Sequence, residues 1–248
     1  MVVTRPRDRA SSWVEALTAA GADVILLPIF RLAPVSGDAW AQFMSQLRTT
    51  RDASSPWWGL TSASVIPAVA AALRADPDLA TGVRIAAVGR ATETAARDAG
   101  LSVDLVGDGS GAESLAAALL SEDPQPTLLH ITSDRGLPVL VDQVRAAGGV
   151  ASMAIAVEHC PEASSDPERI FREPTATCLT FASPSAVEGL LDRTPPERRA
   201  SLLQLPAVAI GATTAESLNA AGWERVISAE SPDPKSLVNA VARTADNL

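Results

Sequence analysis

Short apolar runs alternate with amphipathic segments along almost the whole chain. The segments between the runs place apolar residues at helical spacing, as Trp13, Val14 and Leu17 do. Strands are predicted at 2–4, 23–27, 57–61, 84–88, 103–106, 127–132, 152–157, 177–181, 207–210 and 225–228. Regular alternation of strands with helices is typical of α/β proteins whose sheets are parallel.

Four of the predicted helices end at an Ala-Gly pair. The glycines of these pairs are Gly21, Gly100, Gly148 and Gly222. A glycine directly after a helix can adopt the left-handed conformation that closes the helix. Each pair therefore predicts where a helix stops and the chain turns toward the next strand.

The chain repeats part of its own sequence at a distance of about half its length. The matched segments are 60–64 with 181–185, 88–92 with 210–214, 99–100 with 221–222, and 113–115 with 235–237. The first pair is offset by 121 residues and the other three by 122. A shared α/β pattern alone would produce one or two such matches, so four in order predict two similar domains.

Two extended stretches that contain proline indicate where the chain crosses between these domains. The predicted connections are 29–34 and 158–165. An inserted domain then comprises 35–157, and 1–28 with 166–248 form a discontinuous domain of similar size. The predicted fold is a pair of similar flavodoxin-like or Rossmann-like α/β domains with parallel sheets, joined by two extended connections.

Charge narrows the classes of partner. The 248 residues carry a net charge of −9, which argues against nucleic acid or an anionic membrane as a partner. No run approaches the roughly 18 apolar residues that a membrane span needs, and the opening MVVTRP lacks the regions of a signal peptide. A cytoplasmic location is expected.

Residues for metal or covalent chemistry are few. Cys160, Cys178, His130 and His159 match no metal-binding spacing, so two reduced thiols and no metal site are predicted. His130 lies in an apolar run and is expected to be a buried, hydrogen-bonded histidine, whereas His159 in the second connection is expected to be exposed. The glycine-rich segment 107–111 is interpreted as a flexible loop, and no acid–base pair is evident.

Small hydroxyl residues follow the predicted strands, at the edge where parallel sheets bind ligands. The candidate binding residues are Thr4, Arg5, Ser62, Thr92, Ser183, Ser185, Thr213 and Thr214. Each hydroxyl taken alone could simply cap a helix. Together with the unpaired N–H groups of helix N-termini, they predict a site for carboxylates or phosphates in a cleft between the domains.

The ordered motifs resemble those of the uroporphyrinogen-III synthase family. The matching segments are 3–6, 60–62, 88–92, 181–187, 210–215 and 230–232, with Leu237. The resemblance implies a monomeric, cofactor-independent hydro-lyase of haem biosynthesis. Such an enzyme closes hydroxymethylbilane, a linear octacarboxylate tetrapyrrole, to uroporphyrinogen III, with inversion of ring D through a spiro intermediate and loss of water.

The resemblance also assigns roles to particular residues. Thr92 and Thr214 match threonines that line the family's cleft and should face each other across it. Ser62, Ser183 and Ser185 match serines at the cleft edge, and Arg5 is a candidate partner for a substrate carboxylate.

The chain departs from the family at one position. Many members carry a tyrosine that is thought to help the hydroxyl leave, and the corresponding residue here is Val157, in a chain without tyrosine. Three alternatives remain open: that group is dispensable, His159 or water replaces it, or the chain is a non-catalytic paralogue that binds a tetrapyrrole or another polyanion. An unrelated two-domain transferase or solute-binding protein would need a nucleotide loop or an export signal, and neither is evident.

Overall fold

Strands and helices alternate along most of the computed structural model, which describes residues 1–172 and 176–245. Its strands are β1 (Val2–Val3), β2 (Ile25–Leu26), β3 (Phe30–Pro34), β4 (Pro56–Leu60), β5 (Arg84–Ala87), β6 (Leu105–Val106), β7 (Thr127–Ser133), β8 (Val150–Pro161), β9 (Leu179–Phe181), β10 (Ala207–Ala209) and β11 (Val226–Ser228). Its α-helices are α1 (Ser11–Ala19), α2 (Gly37–Arg51), α3 (Ile66–Ala75), α4 (Arg90–Asp98), α5 (Ala112–Glu122), α6 (Val139–Ala146), α7 (Pro184–Arg193), α8 (Pro196–Leu203), α9 (Ala212–Ala220) and α10 (Pro234–Ala245).

The chain divides into two compact units. The first, here called the terminal unit, comprises Met1–Arg31 with Cys160–Leu248, and the second, the central unit, comprises Leu32–His159. Each contains a sheet with apolar clusters packed against it. The predicted α/β class is therefore confirmed, and parallel pairing dominates in both sheets.

In the terminal unit the strand order is β11-β10-β9-β1-β2. All four pairings in this sheet are parallel. Phe181 and Leu190 belong to one apolar cluster of the unit, whereas Trp13 and Leu237 belong to another. The sheet is therefore built from both ends of the sequence.

In the central unit the strand order is β3-β8-β7-β4-β5-β6. The pairs β4–β5, β4–β7, β5–β6 and β7–β8 are parallel. The sequence predicts 29–34 only as an extended connection, whereas the structure places β3 at the edge of this sheet. Pro34 is compatible with that position because an edge strand leaves some N–H positions unused.

The two sheets share one topology with different chain entry points. Strands β6-β5-β4-β7-β8 follow the same spatial order as β11-β10-β9-β1-β2. The helix α6 packs on α5, and α1 correspondingly packs on α10. The first strands of the terminal unit, β1 and β2, therefore correspond to β7 and β8, which come late in the central unit. This order explains how the terminal unit can be formed from sequence on both sides of the central unit.

The predicted helix stops are confirmed. Gly21, Gly100, Gly148 and Gly222 have φ values of 86°, 84°, 90° and 89°. This left-handed conformation is strained for residues that carry a Cβ atom. It returns each chain segment to the sheet after its helix.

Candidate functional site

The carboxyl end of β4 carries the hydroxyls of Thr61 and Ser62. The Ser62 side chain accepts a hydrogen bond from the Ser64 backbone N–H at 3.2 Å, and the hydroxyls of Ser62 and Ser64 lie 2.8 Å apart. Ser62 thus caps the short 3-10 turn Ala63–Val65. Capping is the structural role that a serine has here irrespective of any ligand.

Thr61 is linked to the neighbouring strand by a histidine. Its Oγ1 lies 2.8 Å from Nε2 of His130 in β7. His130 is only 2% exposed, and burial lowers its pKa to about 4, so the ring is neutral at neutral pH. The expectation of a fully hydrogen-bonded histidine is wrong for one atom, because Nδ1 has no hydrogen-bond partner among the described residues.

The helix after β5 begins at a glycine that another backbone segment approaches closely. A Cβ atom on Gly89 would lie 2.8 Å from Cα of Gly109. Gly89 is the N-cap of α4, and Thr92, the third residue of that helix, is 4% exposed. The fold therefore places Thr92 and the first N–H groups of α4 at the carboxyl edge of the sheet.

The glycine-rich loop is held in place rather than left open. Asp108 Oδ1 accepts hydrogen bonds from Ser110 N, Ser110 Oγ and Ser114 Oγ at 2.9, 2.7 and 2.7 Å. These bonds, led by the one from the Ser110 backbone, lower the pKa of Asp108 to about 2. The interpretation of this loop as simply flexible misses why it needs glycines. Gly109 and Gly111 have φ values of 88° and 142°, and a Cβ atom on Gly107 would lie 2.7 Å from the Val88 carbonyl oxygen.

In the terminal unit, Thr4 and Arg5 follow β1. Thr4 is completely buried, and its hydroxyl donates to the Thr180 carbonyl oxygen at 2.7 Å, so the sheet uses this hydroxyl. The Arg5 guanidinium lies over the Trp13 ring at 4.6 Å from its centroid, and burial, followed by the Arg9 charge, lowers its pKa. Arg5 forms no ion pair with a carboxylate in the described part of the chain.

The remaining candidates of the terminal unit lie at two helix N-termini. Ser183 is the N-cap of α7 and accepts a hydrogen bond from Ala186 N at 3.3 Å, and Ser185 is half-buried in the first turn. In α9, which begins after Gly211, Thr213 is exposed and Thr214 is 4% exposed. Thr214 thus matches Thr92 in both helix position and burial.

The residue that the sequence resemblance assigns to the position of the family tyrosine is buried. Val157 is 2% exposed and pairs with Ser133 across β7 and β8. Next to it, the ring Nδ1 of His159 lies 2.6 Å from Asp134 Oδ1, and the His159 backbone N–H donates to the same oxygen at 3.2 Å. The expectation that His159 is exposed is wrong, because 12% of its side chain is exposed and Asp134 holds its ring.

The described residues contain neither a cluster of metal-binding side chains nor a helix that could span a membrane. Nowhere in residues 1–172 and 176–245 do three His, Cys, Asp or Glu side chains gather as they would around a metal ion. No helix in this part of the chain is both long and apolar enough to cross a bilayer. Cys160 and Cys178 are free thiols.

The topology defines the class as a two-unit α/β protein in which hydroxyl residues and helix N-termini lie at the carboxyl edges of both sheets. A model of the family described as uroporphyrinogen-III synthase HemD matches residues 11–239. The chain belongs to the uroporphyrinogen-III synthase family. The resemblance that the sequence motifs indicate is therefore confirmed.

Individual relatives agree with this assignment over nearly the full length. The chain is 24% identical over 254 residues to uroporphyrinogen-III synthase of Chlorobaculum parvum, covering 98% of this chain and 97% of that protein. A structure of mutant uroporphyrinogen III synthase from Thermus thermophilus matches with a TM-score of 0.63 and 20% identity over 100% of this chain and 98% of the other. A structure of uroporphyrinogen-III synthetase from Helicobacter pylori matches with a TM-score of 0.63 and 14% identity over 90% and 93%.

Proposed function

We propose that this chain is an active uroporphyrinogen-III synthase. It closes hydroxymethylbilane to uroporphyrinogen III, with inversion of ring D and loss of water, as a lyase of tetrapyrrole biosynthesis. The observation that carries the proposal is the match to the family over residues 11–239 of a 248-residue chain.

Substrate binding is assigned to the carboxyl edges of the two sheets. Arg5 offers a guanidinium without a carboxylate partner among the described side chains, which suits a substrate carboxylate. Thr92, Thr213 and Thr214 offer hydroxyls beside helix N-termini, and such N-termini favour anions. The other candidates are Ser62, Ser183, Ser185 and Thr4, and because the Thr4 hydroxyl is bonded within the sheet, we assign Thr4 the role of placing Arg5.

Catalysis in this proposal comes mainly from holding the substrate in a reactive conformation. Two reacting ends that are fixed near each other cyclise far faster than free ends do. Hydroxymethylbilane also closes unaided to the uninverted type I isomer, so the protein must direct ring closure as well as speed it. An octacarboxylate has enough charged groups to engage several of these binding residues.

The group that assists the leaving hydroxyl is assigned to His159 together with Asp134. The 2.6 Å contact between Asp134 and the His159 ring is a pairing that commonly orients an imidazole for proton transfer. Val157, which stands where many relatives have tyrosine, lies next to this pair in the chain and cannot transfer a proton.

Product analysis tests the proposal directly. Purified protein is mixed with freshly prepared hydroxymethylbilane, and the products are oxidised and separated by isomer. Type III product well above a protein-free control is expected. If only the type I isomer forms, at the control rate, although the protein binds the substrate, the chain is a binding paralogue and the proposal fails.

Three further properties are proposed on the basis of the family. The units are two domains joined by 29–34 and 158–165, the protein is a cytoplasmic monomer, and it needs no cofactor. Activity should survive dialysis against a chelator, and sedimentation should give the mass of one chain, 25.6 kDa. Activity that is lost on dialysis and restored by a divalent metal would contradict the last point.

A further inference from the structure

A polar pair lies where the strand order of the central unit reverses. From β4 the chain proceeds to β5 and β6 on one side, and then crosses to β7 on the other side. In open α/β sheets, ligands bind outside the carboxyl ends of the strands at such a reversal. Thr61 at the end of β4 and His130 in β7 are hydrogen-bonded at this place.

The proton on the His130 ring can be located by comparing the two neutral tautomers. With the proton on Nδ1, a buried N–H donor would have no acceptor among the described residues. With the proton on Nε2, Nδ1 leaves only an unused lone pair, and unpaired acceptors are tolerated better than unpaired donors. The ring is neutral because burial lowers its pKa to about 4. The favoured tautomer therefore carries its proton on Nε2.

This tautomer determines what the Thr61 hydroxyl does. Nε2–H donates to Thr61 Oγ1 across the 2.8 Å contact, so the hydroxyl does not donate its own proton to the ring. Thr61 is partly exposed, so its O–H proton is directed away from His130 toward an acceptor outside the sheet. A hydroxyl can both donate and accept hydrogen bonds, and the contact with His130 leaves that of Thr61 as a donor to other groups.

The fold itself does not require this pair. In the terminal unit, Ala182 stands at the repeat position of Thr61, offset by 121 residues. Val3 stands beside β9 at the register position that His130 has beside β4. The repeat therefore forms the same sheet with apolar residues at both places, and the polar pair in the central unit needs a different explanation.

We propose that His130 is a positioning residue that holds the Thr61 hydroxyl as a hydrogen-bond donor to a carboxylate of the substrate. The inference rests on the proposed synthase function for the identity of the ligand, but not for the arrangement of the pair. Thr61 would then be a specificity-determining contact of the central unit, and His130 acts through it without touching the substrate.

The tautomer is tested without any activity measurement. The chain has two histidines, so protein labelled with ¹⁵N in histidine gives two imidazole spin systems, and His159→Gln assigns them. At neutral pH, His130 is expected to show a protonated Nε2 and an unprotonated Nδ1. A protonated Nδ1 would overturn the proposal, because the Thr61 proton would then point to the ring. An inactive parent protein would count against the proposed function and leave this result unaffected.

Kinetics test the role of the donor. Thr61→Val should raise KM roughly tenfold, as expected for one lost hydrogen bond to a charged group, with little change in kcat. Thr61→Ser should retain the parent KM, and so should the control Thr50→Val, whose hydroxyl bonds within α2 at 2.9 Å.

A coupling measurement tests whether His130 acts through Thr61. His130→Leu should raise KM by less than Thr61→Val, and the double variant should be no worse than Thr61→Val alone. Additive losses in the double variant, or an unchanged KM in Thr61→Val, would overturn the proposal. If His130→Leu does not fold, the Thr61 variants and the tautomer measurement still decide.

Discussion

Arg5 carries a half-buried charge that no carboxylate of the described residues pairs with. Its guanidinium packs on Trp13 and forms no ion pair with a described carboxylate. Burial lowers its pKa, which means that the folded chain gives the charge less solvation than water would. A substrate carboxylate would restore that stabilisation through charge-assisted hydrogen bonds.

Arg5→Gln is therefore expected to weaken substrate binding, with KM higher by roughly tenfold or more, because a hydrogen-bonded charge pair is lost. Arg9→Gln is the matched control, since it removes the same charge from a residue that already contacts Asp8 at 3.8 Å. Steady-state kinetics at constant ionic strength distinguish the two variants. Equal losses in both would show that general electrostatic attraction, not an Arg5 contact, is responsible.

His130 makes the stability of the chain depend on pH. Its pKa falls from 6.5 to about 4 on folding, so between these values the unfolded chain binds the additional proton. The stabilisation is fully present above about pH 6.5 and is lost as the pH falls through about 4, on the order of 3 kcal/mol in all. Carboxyls with lowered pKa values, such as Asp108, lose their contribution at lower pH still.

Denaturant unfolding at several pH values between 7 and 4 tests this expectation. The unfolding free energy of the parent should fall through this window, and that of His130→Leu should fall less steeply. Parallel pH profiles for the two proteins would show that the ring does not titrate as the structure indicates.

The chemical type of the site residues was predictable from the sequence, but their contacts were not. Hydroxyls after strands are recognisable because the strand ends are, and Ser62 and Ser183 do lie at helix N-termini. Nothing in the sequence shows that the Thr4 hydroxyl bonds to Thr180, or that Nδ1 of His130 lacks a partner among the residues that the structure describes. Such contacts depend on strand register, which pairs residues that are far apart in the chain.

Among the structural elements, α4 and α9 are repeat equivalents with different surroundings. Gly89 and Gly211 cap them with nearly identical backbones, φ −178° and −176°. A Cβ atom on Gly89 would meet Cα of Gly109 at 2.8 Å, whereas one on Gly211 would have no atom of the described residues within 4 Å. The same motif therefore has a packing constraint in one unit and none in the other.

Gly89→Ala is accordingly expected to destabilise the chain by about 1–3 kcal/mol, because it forces two backbone segments apart. Gly211→Ala should cost less, no more than about 1 kcal/mol, because it loses only the N-cap preference for glycine over alanine. Thermal and denaturant unfolding of both variants provide the measurement. Equal losses of stability in the two variants would mean that the loop around Gly109 shifts with no free-energy penalty.

Strands β7 and β8 bring together a pair that the sequence conceals. Asp134 and His159 are 25 residues apart, and their contact follows from the adjacency of these strands.

His159→Gln is expected to lower kcat by at least about tenfold, because a proton donor for the leaving hydroxyl is lost. The type III to type I ratio should change little, since the substrate is still held. An unchanged kcat would indicate that water, and not His159, assists the departure of the hydroxyl.

At the scale of the whole molecule, the internal repeat was the most informative sequence feature. It predicted two similar parallel sheets, and the equivalence of β4 with β9 and of β5 with β10 supports the reading of the motifs at 60–64 and 88–92. The sequence did not reveal that β3 joins a sheet, because the prolines at 28 and 34 indicate a connection even though Phe30, Arg31 and Leu32 alternate in polarity. Sheet membership there depends on the neighbour β8.

The repeat also gives each unit one member of a threonine pair, which permits a test of whether both units act on one substrate. Thr92 and Thr214 are each the third residue of a helix after a glycine N-cap, and each is 4% exposed. Replacement by valine retains the side-chain volume and removes the hydroxyl. Loss of stability should be no more than about 1.5 kcal/mol, the size of one lost hydrogen bond.

Thr92→Val and Thr214→Val are each expected to lower the ratio of type III to type I product, because a less firmly held substrate closes without inverting ring D. If both hydroxyls hold the same substrate molecule at separate places, the free-energy losses should add in the double variant. Melting temperature and product ratio are measured together, with Thr50→Val and Thr194→Val as controls, because their hydroxyls bond within the chain at 2.9 and 2.7 Å. If the folded variants keep the parent's rate and ratio, the two hydroxyls serve only their helices, and the assignment of Thr92 and Thr214 to substrate binding is wrong.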